Sequence, residues 1–533
     1  MPTLTWTGKD KVVNHHHDVP LRVLQREYTH EAPDGTPANS TDNRIIHGDN
    51  LEALKSLLPE FEGRVNCIYI DPPYNTGNEG WVYNDAVNDP RIKKWLGQVV
   101  GKEGEDLTRH DKWLCMMYPR LKLLHRLLAK DGAIFISIDD VSHHYLRLLL
   151  EEIFGAVNFV GNVVWQKKFS PQNDAKLMDA DTEHVLIYAK NKRDAALNLL
   201  PRTDDMNARY SNSDNDPRGS WTSGDSLRRE YREYAHYPIT TPSGRIVEPP
   251  PGTSWRFNKE ELPRLIAENR LYFGVDGNGV PRIKRFLSDV KNGVVPRTLW
   301  GYAEVGHTQE AKKEVIAINH KDIFDTPKPV RLIERVLAIG MKKNGIILDS
   351  FAGSGTTAHA VLKLNAQDGG NRRFILCEMM DYAETITAER VRRVMAGYGE
   401  GNKATTGLGG AFSYYTVGEP LFLPDDNLNE AVGVQVIRDY VSYTENIPQE
   451  SRTTAENPVS PYLLGQTPDV AWLLHYEPDR VTLLDMAFLE TLNFAGNRPA
   501  LVVVYADACL LSAEFLQRYG LIFKKIPRDI TRL

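Results

Sequence analysis

Apolar and polar positions alternate with two different periods along the segment from Arg44 to about Lys192. Continuous apolar runs at 65–70, 133–138 and 184–189 are typical of buried strands. The segment 113–129 instead repeats its apolar residues with helical spacing. The same alternation returns from about Asp325 to Gly397. Strands that alternate with helices in this way predict an α/β fold, with a mostly parallel sheet covered by helices on both faces.

This alternation stops between about Ala195 and Glu314, where turn signals such as Pro242-Ser243-Gly244 become frequent. We therefore predict five segments: an N-terminal arm (1–42), the first part of the core (43–194), an inserted domain (195–318), the second part of the core (319–414) and a C-terminal domain (415–533). In the last segment, a helix near 431–444 and a strand at 500–505 predict a further α/β unit.

The apolar run at 65–70 ends in the tetrapeptide Asp71-Pro72-Pro73-Tyr74. Because proline cannot continue a strand ladder and fixes its own backbone, these residues predict a stiff loop at the end of the strand. Such a loop holds one carboxylate, one carbonyl and one aromatic ring in a fixed arrangement. Two hydrogen-bond acceptors beside a stacking ring suit a planar group with an exocyclic amine. An ordinary proline turn is the alternative, and the tetrapeptide alone does not exclude it.

A second motif follows the predicted strand at 344–349 and reads Asp349-Ser350-Phe351-Ala352-Gly353-Ser354-Gly355-Thr356-Thr357. Its small residues let the backbone approach a ligand, and the hydroxyls of Ser354, Thr356 and Thr357 could cap the next helix. The following strand ends at Glu378, where an acidic residue commonly holds ribose hydroxyls. No lysine follows the last glycine, so the turn is not a phosphate-binding loop. A nucleoside without phosphates fits better, and S-adenosylmethionine is the common one.

Together the two motifs resemble the amino-methyltransferases of DNA. The amine-site motif precedes the cofactor motif, and a long insert separates them, which resembles the beta class and the Mod subunits of type III restriction-modification systems. The stretches at 46–50, 111–121 and 327–329 agree with this resemblance. The pair Asp325-Thr326 before Pro327 departs from the wider class, which often has His-Pro or Gln there.

The resemblance implies a Rossmann-like methyltransferase sheet, an inserted target-recognition domain and methylation of the N6 amine of adenine. It implies catalytic roles for Asp71, Pro72, Pro73 and Tyr74. It further implies cofactor contacts from Asp49, Thr326, Lys328, Pro329, Asp349, Phe351, Ala352, Gly353, Gly355, Thr356 and Glu378. For Asp49, capping of the next helix is an equally good interpretation. The implied cofactor is S-adenosylmethionine, and no metal is expected.

Two other functions stay open. Methylation of the N4 amine of cytosine would use nearly the same residues, although such enzymes more often have Ser where Asp71 stands. A catalytically silent DNA-binding subunit is the other alternative, and the intact Asp71, Tyr74, Gly353 and Gly355 argue against it.

Composition and charge add partners to this interpretation. The net charge of −6 alone argues against nucleic acid, but the segment 228–297 has thirteen basic and eight acidic residues. The C-terminal segment from Tyr415 has nine basic and sixteen acidic residues, which favours a protein partner. We therefore expect double-stranded DNA, a second copy of the chain in a homodimer, and a helicase-nuclease restriction subunit as partners. Scattered cysteines, with no apolar run of membrane-spanning length, favour the cytoplasm and no membrane contact.

The insert contains residue types that suit DNA reading. Basic side chains for phosphates or guanine edges are Arg228, Arg229, Arg232, Arg245, Arg282, Lys284, Arg285 and Lys291. Aromatic residues that could stack on bases, or instead form the core of the insert, are Trp221, Trp255, Trp300, Tyr231, Tyr234 and Tyr237.

Overall fold

The computed structural model describes residues 3–73, 109–170, 178–291, 293–319, 324–453, 459–494 and 498–528. Its largest element is a sheet of ten strands within these ranges. In chain order the strands are β1 (Arg22–Glu31), β2 (Asn43–His47), β3 (Val65–Ile70), β4 (Leu128–Ile138), β5 (Phe159–Gln166), β6 (Thr182–Ala189), β7 (Leu299–Trp300), β8 (Asn344–Asp349), β9 (Asn371–Glu378) and β10 (Ala411–Pro420).

The strands lie in the order β1-β10-β2-β9-β8-β3-β4-β6-β5-β7. Six neighbours, from β10 to β4, are all parallel. The pairs β4–β6, β5–β6 and β1–β10 are antiparallel. The predicted α/β class with a mostly parallel sheet is therefore confirmed. Strand β8 pairs with β3, although nearly 300 residues separate them along the chain.

Helices cover both faces of the parallel strands. The longer ones are α1 (Asn50–Phe61), α2 (Arg109–Leu127), α3 (Asp140–Phe154), α4 (Thr308–Asn319), α5 (Val330–Gly340), α6 (Thr356–Asp368), α7 (Glu389–Ala396) and α8 (Val434–Thr444).

The central strand β3 shows how the two faces are filled. Ile68 and Ile70 join the apolar cluster formed by α1, α2 and α3. Cys67 points to the opposite face, as alternation along a strand requires. There it lies beside Gly340 of α5, where an added Cβ would be 2.8 Å from the Cys67 sulfur. Burial on both faces explains why this strand is a continuous apolar run in the sequence.

The N-terminal arm is part of this sheet rather than a separate arm. Its strand β1 pairs with β10, which crosses the predicted boundary between residues 414 and 415. Because β10 also pairs with β2, the core continues to Pro420. The run His15-His16-His17 lies in the one-turn helix His15–Asp18.

The inserted domain is smaller than its predicted range of 195–318. The compact unit comprises residues 199–296. Residues 297–319 belong to the other unit, because β7 pairs with β5 and α4 follows it. The short strands of the insert are Trp221–Gly224, Leu227–Arg228, Ile239–Thr240, Ile246–Val247, Ser254–Trp255, Leu271–Tyr272 and Arg282–Phe286. Its only helices of the α type within the described residues are Asp204–Asn207 and Leu262–Ala267.

After Pro420 the chain forms α8 and a second, four-stranded sheet. Its strands, in spatial order, are Leu463–Gln466, Val470–Leu474, Leu501–Ala506 and Leu521–Lys525. The last three are parallel, and the first is antiparallel to its neighbour. Two apolar clusters pack around this sheet. The C-terminal segment is thus α/β.

None of the helices in the described ranges is both long enough and apolar enough to span a bilayer.

Candidate active site

The neighbouring parallel strands β2, β9, β8 and β3 bring the predicted site residues to one edge of the sheet, at the carboxyl ends of these strands. Leu348 of β8 pairs with Ile68 of β3, so Asp349 and Asp71 leave the sheet at the same edge. Strand β9 pairs with β8 on its other side and ends at Glu378. Ligands of open parallel sheets bind at this edge, outside the carboxyl ends of the strands.

Asp71 and Lys328 form an ion pair at this edge. Lys328 Nζ lies 2.7 Å from Asp71 Oδ2 and 3.5 Å from Glu183 Oε2. Burial disfavours the charge of Lys328, but the two carboxylates outweigh that effect and raise the pKa of the lysine. The ammonium group therefore stays charged near neutral pH. The sequence interpretation assigned Lys328 to the cofactor, whereas this geometry joins it to the amine-site carboxylate.

The proline loop is anchored from helix α2. Trp113 donates its indole N–H to the Pro73 carbonyl at 2.6 Å, and its ring is fully buried. Pro72 and Pro73 are buried as well. Tyr74 lies outside the described residues. The anchored carbonyl fixes the loop that carries Asp71, a role that the sequence interpretation did not assign to Trp113.

The glycine-rich turn is closed by hydrogen bonds to two buried carboxylates. Glu378 accepts the backbone N–H of Gly353 at 2.8 Å and that of Met380 at 3.0 Å. Asp349 accepts the Thr357 hydroxyl at 2.6 Å and the Phe351 N–H at 3.1 Å. These bonds hold the turn against the ends of β8 and β9.

Burial changes the acid strength of both carboxyl groups. It raises the pKa of Asp349 to about 7, against the opposing effect of the Thr357 hydroxyl. It likewise raises the pKa of Glu378 to about 7, although the backbone N–H groups of Met380 and Gly353 act in the other direction. Strongly shifted groups in a cleft are typical of functional sites.

Helix α6 starts differently from the prediction. Gly355 is its N-cap, in the left-handed conformation with φ 78°, and no side chain caps the helix. The Thr357 hydroxyl bonds to Asp349 instead, and the hydroxyls of Ser354 and Thr356 bond to Arg390 at 2.9 Å each. The capping role predicted for these three residues is therefore wrong. An added Cβ at Gly355 would lie 3.0 Å from the Thr387 carbonyl oxygen. The backbone just before α7 therefore leaves little room for a side chain at this position.

Buried Arg390 supports the turn from behind. Its guanidinium contacts Ser354, Thr356 and His359. Thr387, on the same segment, donates its hydroxyl to the Gly353 carbonyl at 2.6 Å. The sequence interpretation missed both residues, since nothing in their own segment marks them as partners of a turn more than 30 positions earlier.

The remaining predicted cofactor residues lie around the same edge. Residues from both motifs line one pocket: Tyr69, Asp71, Phe324, Thr326, Pro327, Lys328, Asp349, Phe351, Ala352, Gly353, Ser354, Thr356 and Thr357. Pro329 occupies the position just before α5.

Asp49 follows β2 and caps helix α1. Its carboxylate accepts the backbone N–H groups of Leu51 and Glu52 at 2.8 and 3.2 Å. The guanidinium of buried Arg120 lies 3.7 Å away. The capping interpretation of Asp49 therefore describes the contacts that this residue makes.

In the insert, several of the residues whose types suit DNA reading are internal, as the core interpretation of the aromatic residues predicts. Trp221, Trp255 and Tyr237 are buried, and Lys284 is buried against Asp214 and Asp216. Trp300 is a strand residue of the main sheet. Tyr231 and Tyr234 are exposed, as are six of the predicted basic residues: Arg229, Arg232, Arg245, Arg282, Arg285 and Lys291.

Comparison with known proteins identifies relatives of this chain. The Mod subunit of the type III restriction-modification enzyme StyLTI from Salmonella typhimurium is 35% identical over 424 residues, which cover 73% of this chain and 62% of that protein. The EcoPI Mod subunit of Escherichia phage P1 is 30% identical, covering 70% and 62%. The type II methyltransferase M.KpnI from Klebsiella pneumoniae is 33% identical, covering 64% and 82%.

This chain thus spans less than two thirds of the length of the two Mod subunits that it matches. The similarity to Mod subunits expected from the motifs is confirmed. A family model described as DNA methylase matches residues 65–389, from the strand before Asp71 to the segment that supports the glycine-rich turn. Because this match covers more than half of the sequence and both motif-bearing strand ends, the chain belongs to the DNA methylase family.

Proposed function

We propose that this protein transfers a methyl group from S-adenosylmethionine to the N6 amine of adenine in duplex DNA. The observation that carries this proposal is the meeting of Asp71 and the Gly353 turn at the ends of adjacent strands. The family and the named relatives support the reaction class.

The residues around the turn fit the proposed cofactor. A nucleoside offers ribose hydroxyls to the buried carboxylate of Glu378, and the small residues of the turn allow close backbone contact. Asp71, Thr326, Lys328 and the turn residues line one pocket, which offers carboxylate, hydroxyl and backbone groups to a polar ligand. When bound, S-adenosylmethionine supplies an electrophilic methyl group on a sulfonium.

Asp71 and the Pro72 carbonyl would accept the two hydrogens of the amine. The lone pair of that nitrogen is delocalised into the base, so this alignment turns it toward the methyl donor. The carboxylate also stabilises the positive charge that develops on nitrogen. Tyr74 would stack on the base. Asp71 need not be a strong base, because the proton can leave to water after the transfer.

The target amine must leave the duplex before it can reach this edge of the sheet. A stacked and paired adenine hides its N6 group, and enzymes that act on a base extrude it into a pocket. The exposed arginines of the insert would hold the surrounding DNA by its phosphates, and we assign no base to any of them.

Substitution of Asp71 tests the proposal. We expect Asp71→Ala to abolish methyl transfer while DNA binding, measured by fluorescence anisotropy, changes by less than about threefold, since phosphate contacts dominate affinity. Methylated plasmid or genomic DNA is mapped by single-molecule sequencing, which identifies the base, the atom and the motif. If the map shows N4-methylcytosine instead, the target base is cytosine and not adenine. Undiminished transfer by the variant would refute the role of Asp71.

We further propose that the protein acts as the modification subunit of a restriction-modification or phage-defence system. The Mod relatives support this, and the acidic segment after Pro420 offers a surface for another protein. A homodimer and a helicase-nuclease subunit are the proposed partners. The cytoplasm is the proposed location, because the DNA substrate is there and all four cysteines are free thiols.

A further inference from the structure

Four charged side chains of alternating sign form a chain that leads into the candidate active site. Lys167 Nζ lies 3.0 Å from Glu183 Oε1, and Lys328 Nζ lies 3.5 Å from Glu183 Oε2. Lys328 in turn lies 2.7 Å from Asp71 Oδ2. Glu183 therefore connects a lysine outside the motifs to the lysine that holds the amine-site carboxylate.

The fold explains how Glu183 reaches this place. It lies near the start of β6, which runs antiparallel to β4. The start of an antiparallel strand lies at the same edge as the ends of its parallel neighbours, so Glu183 and Asp71 share the carboxyl edge of β3 and β4.

Burial of these charged groups costs free energy, so the arrangement calls for a reason other than stability. The side chains of Glu183 and Lys328 are 7% and 8% exposed. A buried ion pair is often no more stable than apolar residues of the same size, so stability alone is a weak reason for it. The site contains a reason of a different kind, because Lys328 sits directly on the group that must align the substrate.

We propose that Glu183 is a positioning residue for methyl transfer and that it acts on Asp71 through Lys328. This inference rests on the proposed function. Glu183 and Asp71 share the Lys328 ammonium, at 3.5 and 2.7 Å, so the lysine fixes the plane of the Asp71 carboxylate without neutralising it. Without that second carboxylate, the Lys328 ammonium would leave its present position, and the Asp71 carboxylate would rotate with it.

The charges around Lys328 also indicate that Glu183 favours methyl transfer. Positive charge develops on the amine nitrogen during transfer, and a lysine beside it opposes that charge. The carboxylate of Glu183 offsets the lysine. Two further carboxyl groups of the described residues interact with this chain, Asp139 with Glu183 and Asp349 with Asp71. Lys167 contacts Glu183 at the end of the chain away from Asp71, so it is expected to matter least.

Kinetics of Glu183→Gln provide the first test. We expect kcat to fall by about 10- to 100-fold, the size of effect that misplacement of a reacting group causes, with the KM values for DNA and cofactor within about threefold. Glu183→Asp should recover part of kcat. A matched control is Glu334→Gln, which removes another partly buried carboxylate paired with a lysine, Lys363, at 3.0 Å. The control should retain wild-type kcat.

A double-mutant cycle shows whether Glu183 acts through the lysine. If it does, Lys328→Met combined with Glu183→Gln should be no slower than Lys328→Met alone. If the double variant instead shows the product of the two single losses in kcat, the proposal is overturned. A Glu183→Gln variant with unchanged kcat would also overturn it.

A crystal structure of Glu183→Gln gives a readout that does not depend on methylation. We expect the Lys328 ammonium to be displaced and the Asp71 carboxylate to be rotated relative to wild type. An unmoved Asp71–Lys328 pair would overturn the inference. If the wild-type protein methylates no DNA, the proposed function fails, while the crystal structure still decides whether Glu183 positions Asp71.

Discussion

Asp349 and Glu378 are fully buried carboxyl groups beneath the glycine-rich turn, and both have raised pKa values. The protein retains them although a buried charge is costly. Their hydrogen bonds to Gly353, Phe351 and Thr357 fix the turn, so they have a structural use even before any ligand binds.

Glu378 should make the stability of the protein depend on pH. Its pKa is raised from 4.5 to about 7 by burial, so the folded state binds the proton more tightly than the unfolded state. Below about pH 4.5 both states are protonated, and the group has no effect on stability. As pH rises to 7, ionisation in the unfolded state lowers the free energy of unfolding by up to about 3 kcal/mol, and above 7 the loss is complete.

Glu378→Gln removes this ionisation and keeps a hydrogen-bond acceptor. We expect the free energy of unfolding of the variant to decline less than that of wild type between pH 5 and pH 7.5. Urea denaturation at several pH values measures both. Parallel pH profiles for the two proteins would contradict the raised pKa of Glu378.

At the scale of elements, helix α5 packs unusually close to the sheet. Gly340, its last residue, lies over β3 and β4. An added Cβ would be 2.7 Å from a ring carbon of Phe135 and 2.8 Å from the Cys67 sulfur. Strand β3 carries Asp71 at its end, so this contact helps to set the position of the amine-site loop.

Gly340→Ala should therefore separate α5 from the sheet. We expect a loss of about 1–3 kcal/mol in the free energy of unfolding, the usual cost of overpacking a core. Gly301→Ala is the control, since its Cβ would meet nothing within 4 Å and its φ of −76° suits alanine. Urea denaturation of both variants measures the difference. Equal stability of the two would show that the helix can shift without cost.

Much of this organisation could be predicted from sequence, for reasons that individual elements make clear. Strands β3 and β8 are buried on both faces, so each is an apolar run that leads to a predicted site carboxylate, Asp71 or Asp349. Strand β1 is an edge strand with many exposed positions, so it has no such run, and the arm was not recognised as part of the sheet. The predicted C-terminal boundary of the insert was wrong because β7 has only two residues and gives no recognisable strand pattern.

Three residues near the candidate site were not predicted from sequence, and the reason differs from that for the strands. Glu183, Trp113 and Arg390 act through partners far away in the sequence, and their own segments look like ordinary strand or helix. One signal was available, since a tryptophan within an apolar helix face needs a partner for its N–H group. Which carbonyl supplies that partner depends on the packing of α2 against the proline loop.

At the scale of the whole molecule, the acidic segment after Pro420 is an α/β unit with two apolar clusters. Nine basic and sixteen acidic residues from Tyr415 onward make self-association through this unit sensitive to charge.

We expect light scattering at micromolar concentration to give the mass of a dimer, twice 60.3 kDa. If the acidic unit forms the interface, added salt should strengthen the dimer by screening repulsion between like charges. A monomer both with and without DNA would contradict the proposed homodimer.

The insertion of β8 between β9 and β3 has a consequence for synthesis on the ribosome. Strands β3 and β4 emerge early, but the neighbour that β3 needs is translated more than 270 residues later. Until residue 349 of 533 has left the exit tunnel, β3 has an unpaired apolar edge of the kind that promotes aggregation. Newly made chains should therefore depend on chaperones for most of translation.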